Sequence, residues 1–427
     1  MPNSSLTNIS HPLHRARKAK SWLAAHVHMW RFGNHGRSRF KEDSRYDLQR
    51  VTSGFADRIE EVSDDPSLLE RICAAYNKTE SEPHSVLSAY LAPESVRRLR
   101  QGILSRSIRA LIEHDTVALG KMYRNFYRDP CSAGLLAAPH GMSKAYFAPQ
   151  IKDIYRHFYL SHVLYRFDYW KHLTNGSFPL KDLAGSGIGN PFGVVLDGTH
   201  IAVGAEYSHY CAQRVASLID RFDTPHPTVA EIAGGFGAIA YYLLRDHRPL
   251  TYFNFDLPER VALSSYHLMK AFPHLTFLLH GEKPLTQESL SEVDVALLPI
   301  SALATLPNAS IDVTFSSNGL SNLVPSSMTE CLQRIAAITR HSVLAITNQK
   351  SSELIAEQLG KGENALTQID MRTSGWHSHK VSGAGVGGAA ALANSSLFEQ
   401  TLSRKPAVVP SAVGTSVVAA RDRRYGQ

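Results

Sequence analysis

The chain lacks any apolar run of the ~18 residues or more that a membrane-crossing helix needs. It also lacks, near its start, a continuous apolar stretch followed by a small-residue cleavage site, so no secretory leader is expected. Cysteine is scarce: Cys73, Cys131, Cys211 and Cys331 are scattered through 427 residues with no C-x-x-C pair. Such spacing excludes a disulfide or zinc framework and fits buried thiols in a reducing cytoplasm. No internal repeat of fixed period occurs. Acidic residues are absent from positions 1–41, which hold eight Lys or Arg. Removing those eight from the 45 basic residues leaves 37 against 38 acidic ones, a balance of −1. The body of the protein is thus neutral, and the net charge of +7 does not signal nucleic-acid binding.

What is present is a globular composition, 43% hydrophobic and 19% charged, long enough for two domains. Residues 1–46 read as a basic, flexible arm containing Arg15, Arg17, Lys18, Lys20 and the amphipathic "SWLAAHVHMWRF". A solvated leader, weak contact with an anionic membrane surface and an organelle transit segment all share this composition. Residues 47–185 have helical periodicity, as in "SLLERICAAY" and "DIYRHFYLSHVLYRFDYW", whose dense aromatics read as a core stripe. Residues 186–370 alternate strands and helices, which predicts an α/β domain with a parallel sheet covered on both faces. Ser327 and Glu330 have capping-box spacing at its last helix, and Pro258 suits a first helical turn. Residues 371–427 shift to Gly, Ala, Ser and Val, as in a loop followed by a terminal hairpin strand such as "TSVVAARD".

The stretch "TVAEIAGGFGAIAYYLLRD" from Thr228 predicts a buried strand, a glycine turn and a helix. It fits two cofactor fingerprints. Gly235 to Ala240 satisfies G-x-G-x-x-[GA], the dinucleotide signature. Glu231, Gly234, Gly235, Phe236 and Gly237 satisfy most of the S-adenosylmethionine (SAM) signature. In both, glycines let the backbone approach the ligand, and a carboxylate about 20 residues on holds the ribose hydroxyls. Asp256, followed by Leu257, fills that place for either and is expected to face the ligand. Glu231 discriminates. A pyrophosphate above the strand end disfavours an acid there, whereas the cationic amino-acid end of SAM favours one, and an unpartnered buried carboxylate is costly. Tyr266 and Lys270 spell Y-x-x-x-K, the catalytic pair of short-chain dehydrogenases, but only some 30 residues after the glycine turn, where they cannot reach a hydride acceptor.

Four segments, "EIAGGFGAIAYYLL", "FDLPERVALSSYHL", "GNP" at Gly189–Pro191 and "IDVTFSSNGLSNL", together resemble the sugar O-methyltransferase family, a class I SAM-dependent branch. The resemblance runs from about residue 150 to 350, with an echo in "LYRFDYWKHL". It implies a Rossmann-like class I methyltransferase sheet behind a mainly helical N-terminal domain, SAM as cofactor, and a sugar or glycan acceptor. It departs at Ala233, where the family has the first glycine of a triplet. An alanine there is expected to keep φ below zero. It departs again at "SSNGLSNL", where an acidic segment is expected.

For methyl transfer to a hydroxyl, His209 is the candidate base, on the helix before the first strand of the α/β domain, and Tyr207 on that helix is a candidate cofactor cover. Asn318 and Ser321 follow the fourth main strand and are candidate sugar-hydroxyl partners. His377 and His379 form a lone H-x-H, and no metal is expected. An NAD(P)-dependent oxidoreductase or epimerase, and a non-catalytic module on the same sheet, remain the alternatives.

Overall fold

The structure, a computed structural model, describes residues 12–59, 64–82, 94–135, 151–320, 323–382 and 391–404. Its centre is an eight-stranded sheet in the order β5-β6-β4-β3-β7-β8-β10-β9. A separate hairpin pairs β1 (Gly193–Leu196) with β2 (Thr199–Ala202). The sheet strands are β3 (Thr228–Ile232), β4 (Thr251–Asp256), β5 (Phe277–Leu279), β6 (Val295–Pro299), β7 (Ile311–Ser317), β8 (Thr339–Asn348), β9 (Thr367–Ser382) and β10 (Ala391–Ser403).

From β5 across to β8 all neighbours are parallel, and β10 runs antiparallel to both β8 and β9. The chain winds one way from β3 through β4 to β6 and β5, then crosses back to β7 and β8. Its switch point lies between β3 and β7, where open α/β sheets bind ligands. A dinucleotide-binding Rossmann sheet is parallel throughout. Here a reversed strand from a C-terminal hairpin sits beside the last parallel strand. That is the Rossmann-like sheet of class I methyltransferases, as the sequence predicts.

Alternation along the strands builds two cores. Val229, Tyr252 and Val313 face one side of the sheet, and Ala230, Phe253 and Phe255 face the other. Helices Ala205–Ile219, Ala238–Asp246 and Pro258–Ala271 cover the first side. Helices Pro325–Ile338 and Gln349–Leu359 cover the second through residues such as Ile335 and Ile355. Because both faces are covered, the central strands are apolar runs and not half-polar ribbons.

A helical layer lies over the first side, and a buried carboxylate ties it down. Asp64 accepts bonds from Arg124 Nη1 at 2.8 Å, Lys270 Nζ at 2.7 Å and Tyr266 Oη at 3.0 Å. The Y-x-x-x-K pair therefore joins the helical layer to the sheet layer.

Three sequence expectations are corrected. The described part of the N-terminal arm, from Pro12 to Arg39, is a helix docked on helix Asp153–Leu173 and not an extended solvated leader. Glycines permit the close approach. A side-chain carbon on Gly36 would lie 2.0 Å from Ser161 Oγ, and Met29 and Phe40 bury their side chains nearby. His26 Nε2 and Tyr155 Oη add a hydrogen bond at 2.9 Å. The boundary near residue 185 also moves, because the β1–β2 hairpin packs on helix Leu48–Gly54 and not on the sheet. A side-chain carbon on Gly54 would lie 2.1 Å from the Gly193 carbonyl oxygen. The boundary at 370 falls inside β9, so the hairpin β9–β10 completes the sheet; the segment "TSVVAARD" lies outside the described residues. As a smaller correction, the helix at Pro325 starts with Val324 as its N-cap and Pro325 in its first turn, without the expected Ser327 and Glu330 box.

Candidate active site

The strand β3 ends at Ile232, and the chain turns through Ala233 to Gly237 into helix Ala238–Asp246. Three residues of the turn take positive φ: Ala233 at 62°, Gly235 at 63° and Gly237 at 83°. For Ala233 this overturns the expectation of a negative φ. The left-handed region costs an alanine about 1–2 kcal/mol relative to glycine. The turn is nevertheless held from several sides. Ala233 N–H donates to the Phe255 carbonyl at 2.7 Å and Gly237 N–H to the Gly234 carbonyl at 3.0 Å. Asp256 closes it further, accepting from Gly235 N–H at 2.8 Å and Leu257 N–H at 2.7 Å.

Behind the turn is a cavity of about 330 Å³, the size of a small-ligand site. Gly234, Gly235, Phe236, Ala238 and Glu231 line one end, with Arg260 and His267. Tyr207, Ser317 and Asn318 line the switch-point side, and Arg166 and Trp376 line another part of its wall. Glu231 is almost wholly buried and accepts one short hydrogen bond, from Tyr252 Oη. Burial pushes its carboxyl up to about 8, and the neighbouring Asp256 charge adds to the rise. No basic side chain among the described residues pairs with it.

The predicted residues divide. Glu231, Gly234, Gly235, Phe236, Tyr207 and Asn318 are brought together on the cavity wall. Tyr207 Oη and Ser317 Oγ lie 2.7 Å apart, and Asn318, at φ 61°, donates its N–H to the Ile346 carbonyl at 2.6 Å. Gly237 stands behind the turn, where a side-chain carbon would lie 2.9 Å from Leu268 Cδ1; Leu257 caps the next helix. Asp256 is fully buried and spends both oxygens on backbone N–H groups, one in the turn at Gly235 and one at its own neighbour Leu257, with Arg260 Nη1 3.6 Å away. It is thus a brace of the turn in this structure, not an open carboxylate facing ligand. Burial raises its pKa despite those bonds and Arg260.

His209 is corrected outright. It is buried among Trp170, Phe178 and Tyr242, accepts from Trp170 Nε1 at 3.2 Å and does not line the cavity. Burial lowers its pKa to about 4, and its place off the cavity wall separates it from an acceptor bound there. Ser321 lies outside the described residues, as do the side chains of His377 and His379 on β9.

Sequence reasoning missed Arg166, Arg260, His267 and Trp376. Arg166 binds buried Glu206 in a short ion pair, and its guanidinium carbon lies 4.8 Å from the Trp376 ring centroid. Trp376 Nε1 is buried without a hydrogen-bond partner among the described residues. His267 engages both nitrogens, with the Phe236 carbonyl and Ser186 Oγ, each at 2.9 Å, and burial lowers its pKa to about 4. Arg260 was the findable one, four residues after Asp256 on a predicted helix. Trp376 carries no local signal, since only the hairpin fold brings it to the cavity wall.

No family model matches the chain, and no curated protein sequence matches it. Solved structures similar to it are class I SAM-dependent methyltransferases of varied substrates. Magnesium protoporphyrin IX methyltransferase from Synechocystis PCC 6803, solved with bound SAM, is 11% identical over 55% of this chain and 90% of its own, at a TM-score of 0.30. A "putative RNA methyltransferase" of Pyrococcus horikoshii is 11% identical over 57% of this chain and 98% of its own, at 0.33. A TehB-like SAM-dependent methyltransferase from Corynebacterium glutamicum is 13% identical over 47% and 98%, at 0.29. The fold assignment rests on the strand order and the reversed β10, not on these scores.

Proposed function

We propose that this protein is a SAM-dependent O-methyltransferase whose acceptor is a hydroxyl of a sugar or sugar-containing glycan. The observation that carries the cofactor reading is Glu231: a buried carboxyl on the cavity wall at the strand end, bonded to Tyr252 and forming no ion pair among the described residues, with the cavity's Arg260 turned to Asp256 and Arg166 to Glu206. A cationic amino-acid end would draw this carboxyl into its ionised form and pair with it, whereas a pyrophosphate would disfavour that ionisation. The cavity volume suits one such ligand, and the glycine turn brings backbone within reach of it.

SAM supplies an electrophilic methyl on a sulfonium. The protein's part is to hold a hydroxyl in line with that methyl and to exclude water. Glu231 anchors the cationic end, and Tyr207 with Ser317 covers the switch-point side. On the Arg166 and Trp376 wall the Arg166 guanidinium lies over the indole ring, and its charge is already balanced by Glu206. That wall is polar but neutral, which favours a polyhydroxyl over an anionic acceptor. The described lining holds no histidine with an unengaged nitrogen, so positioning contributes more here than a histidine base.

Calorimetric titration of the purified chain with SAM, its demethylated product and NADH tests the reading. Binding of SAM and its product without NADH is expected. Binding of NADH alone would establish the dehydrogenase class, and binding of none of the three would leave a non-catalytic module.

A further inference from the structure

The docked N-terminal helix Pro12–Arg39 has a second apolar face. Its inner line of Met29, Gly33, Gly36 and Phe40 is buried against the rest of the molecule. Leu23, Val27 and Trp30 follow one another at i, i+4 and i+7, and they are 58%, 40% and 58% exposed. At 3.6 residues per turn their stripe stands about 120° around the helix from the inner line. A solvated surface helix carries polar residues at such positions. Single exposed apolar side chains are ordinary, but a continuous stripe that includes tryptophan marks a contact surface.

Charge says what that surface meets. Arg31 and Arg37 are exposed on the same helix, and positions 1–41 hold eight basic residues without one acid. The rest of the chain balances near zero. A second copy docking through this face would bring eight like charges against eight. A nucleic acid would meet the cations but leave Leu23, Val27 and Trp30 in water. An anionic bilayer surface satisfies both features: lipid phosphates for the cations, and the headgroup–acyl boundary for the apolar stripe, where tryptophan is favoured. No described helix is long and apolar enough to cross a membrane, so the contact is with one surface.

The geometry points to a peripheral membrane-docking site formed by Leu23, Val27 and Trp30 with the flanking arginines, specific for anionic lipid. It stands apart from the cavity and does not depend on the cofactor reading.

Co-sedimentation of the full chain with vesicles tests it, using phosphatidylcholine alone and phosphatidylcholine mixed with phosphatidylglycerol. The chain is expected to pellet with the anionic vesicles only and to be released by high salt. Replacing Leu23, Val27 and Trp30 together by serine should lower partitioning about tenfold or more while leaving the melting temperature unchanged. Arg31→Gln with Arg37→Gln should weaken binding to anionic vesicles and flatten its salt dependence. Failure of the full chain to pellet with anionic vesicles would overturn the proposal, as would equal pelleting of the triple variant. Light scattering without lipid provides the remaining check: a dimer that the triple variant splits would assign the stripe to a second copy instead.

Discussion

Asp64 and Glu231 are both buried acids, and their surroundings could hardly differ more. Asp64, in the helical layer, accepts from an arginine, a lysine and a tyrosine that reach it from two parts of the fold. Glu231, at the sheet's switch point, has one tyrosine and no cation among the described residues. The first charge is answered within the chain, and it fastens two layers together. The second acid has no cation paired with it among the described residues, holds its proton up to about pH 8, and faces a cavity. A compensated buried charge builds structure, whereas an uncompensated one in a cleft prepares for a ligand of opposite sign.

The sharpest way to break that contrast is to remove each acid in turn. Asp64→Ala leaves Arg124 and Lys270 without their shared anion. It should cost about 2–3 kcal/mol in urea unfolding, below the ~3–5 of a fully buried pair because both cations keep some water. SAM affinity of the folded protein should stay within about twofold, on the view that Asp64 only fastens layers. A larger loss of affinity would make Asp64 part of the site.

Glu231→Gln should do the reverse, weakening SAM by about 1.5–3 kcal/mol by calorimetry without lowering ligand-free stability. Its pH dependence has a definite sign. The carboxyl ionises near 4.5 when unfolded and near 8 when folded. Its contribution to stability is therefore full below about pH 4.5 and is lost as pH rises through about 8. The wild type should accordingly lose melting temperature across that window more steeply than Glu231→Gln. SAM affinity should rise over the same window, because only the carboxylate answers a cation. Equal slopes for the two proteins would show that Glu231 is not the titrating group.

Asp256 sits between the two extremes, since it is buried beside the cavity but bonded to its own backbone. Asp256→Ala should lower stability by about 1–2 kcal/mol through the two lost backbone bonds, and SAM affinity should fall as the turn loosens. Unchanged unfolding would mean the turn does not need its brace. The smallest effect belongs to Ala233→Gly, which should raise stability by up to about 1 kcal/mol by relieving the positive φ. Gly319→Ala at the facing position makes the control. Its new carbon would lie 2.3 Å from the Ala233 side chain, so it should destabilise.

The parallel part of the sheet, β3 to β8, was legible because period and punctuation are local, and the glycine turn fell where Gly234 to Gly237 placed it; β9 and β10 arose in a segment read as loop. The cofactor end of the site was legible for the same reason, since Glu231 and the glycines are neighbours in sequence. The rest of the wall was not. Arg166 was hidden within an aromatic helix read as core, and Trp376 reaches the cavity only through a strand pairing that no local pattern encodes. His209 shows the opposite failure. Its helix was rightly placed, but one step of helical phase decides between facing a cavity, as Tyr207 does, and facing Trp170. The arm failed on composition, because a basic segment looks solvated until Gly33 and Gly36 are seen to seat it on a neighbouring helix.

Trp376 on β9 and Leu397 on β10 both line the cavity, and this sets an order of events during synthesis. Ribosomes deliver about 5–20 residues per second, so the last strand follows the glycine turn by roughly ten to thirty seconds. Throughout that interval the nascent chain carries Glu231 and the turn with one wall of the chamber still unmade. The parallel core therefore has its own packing to hold it before the β9–β10 hairpin completes this wall of the chamber.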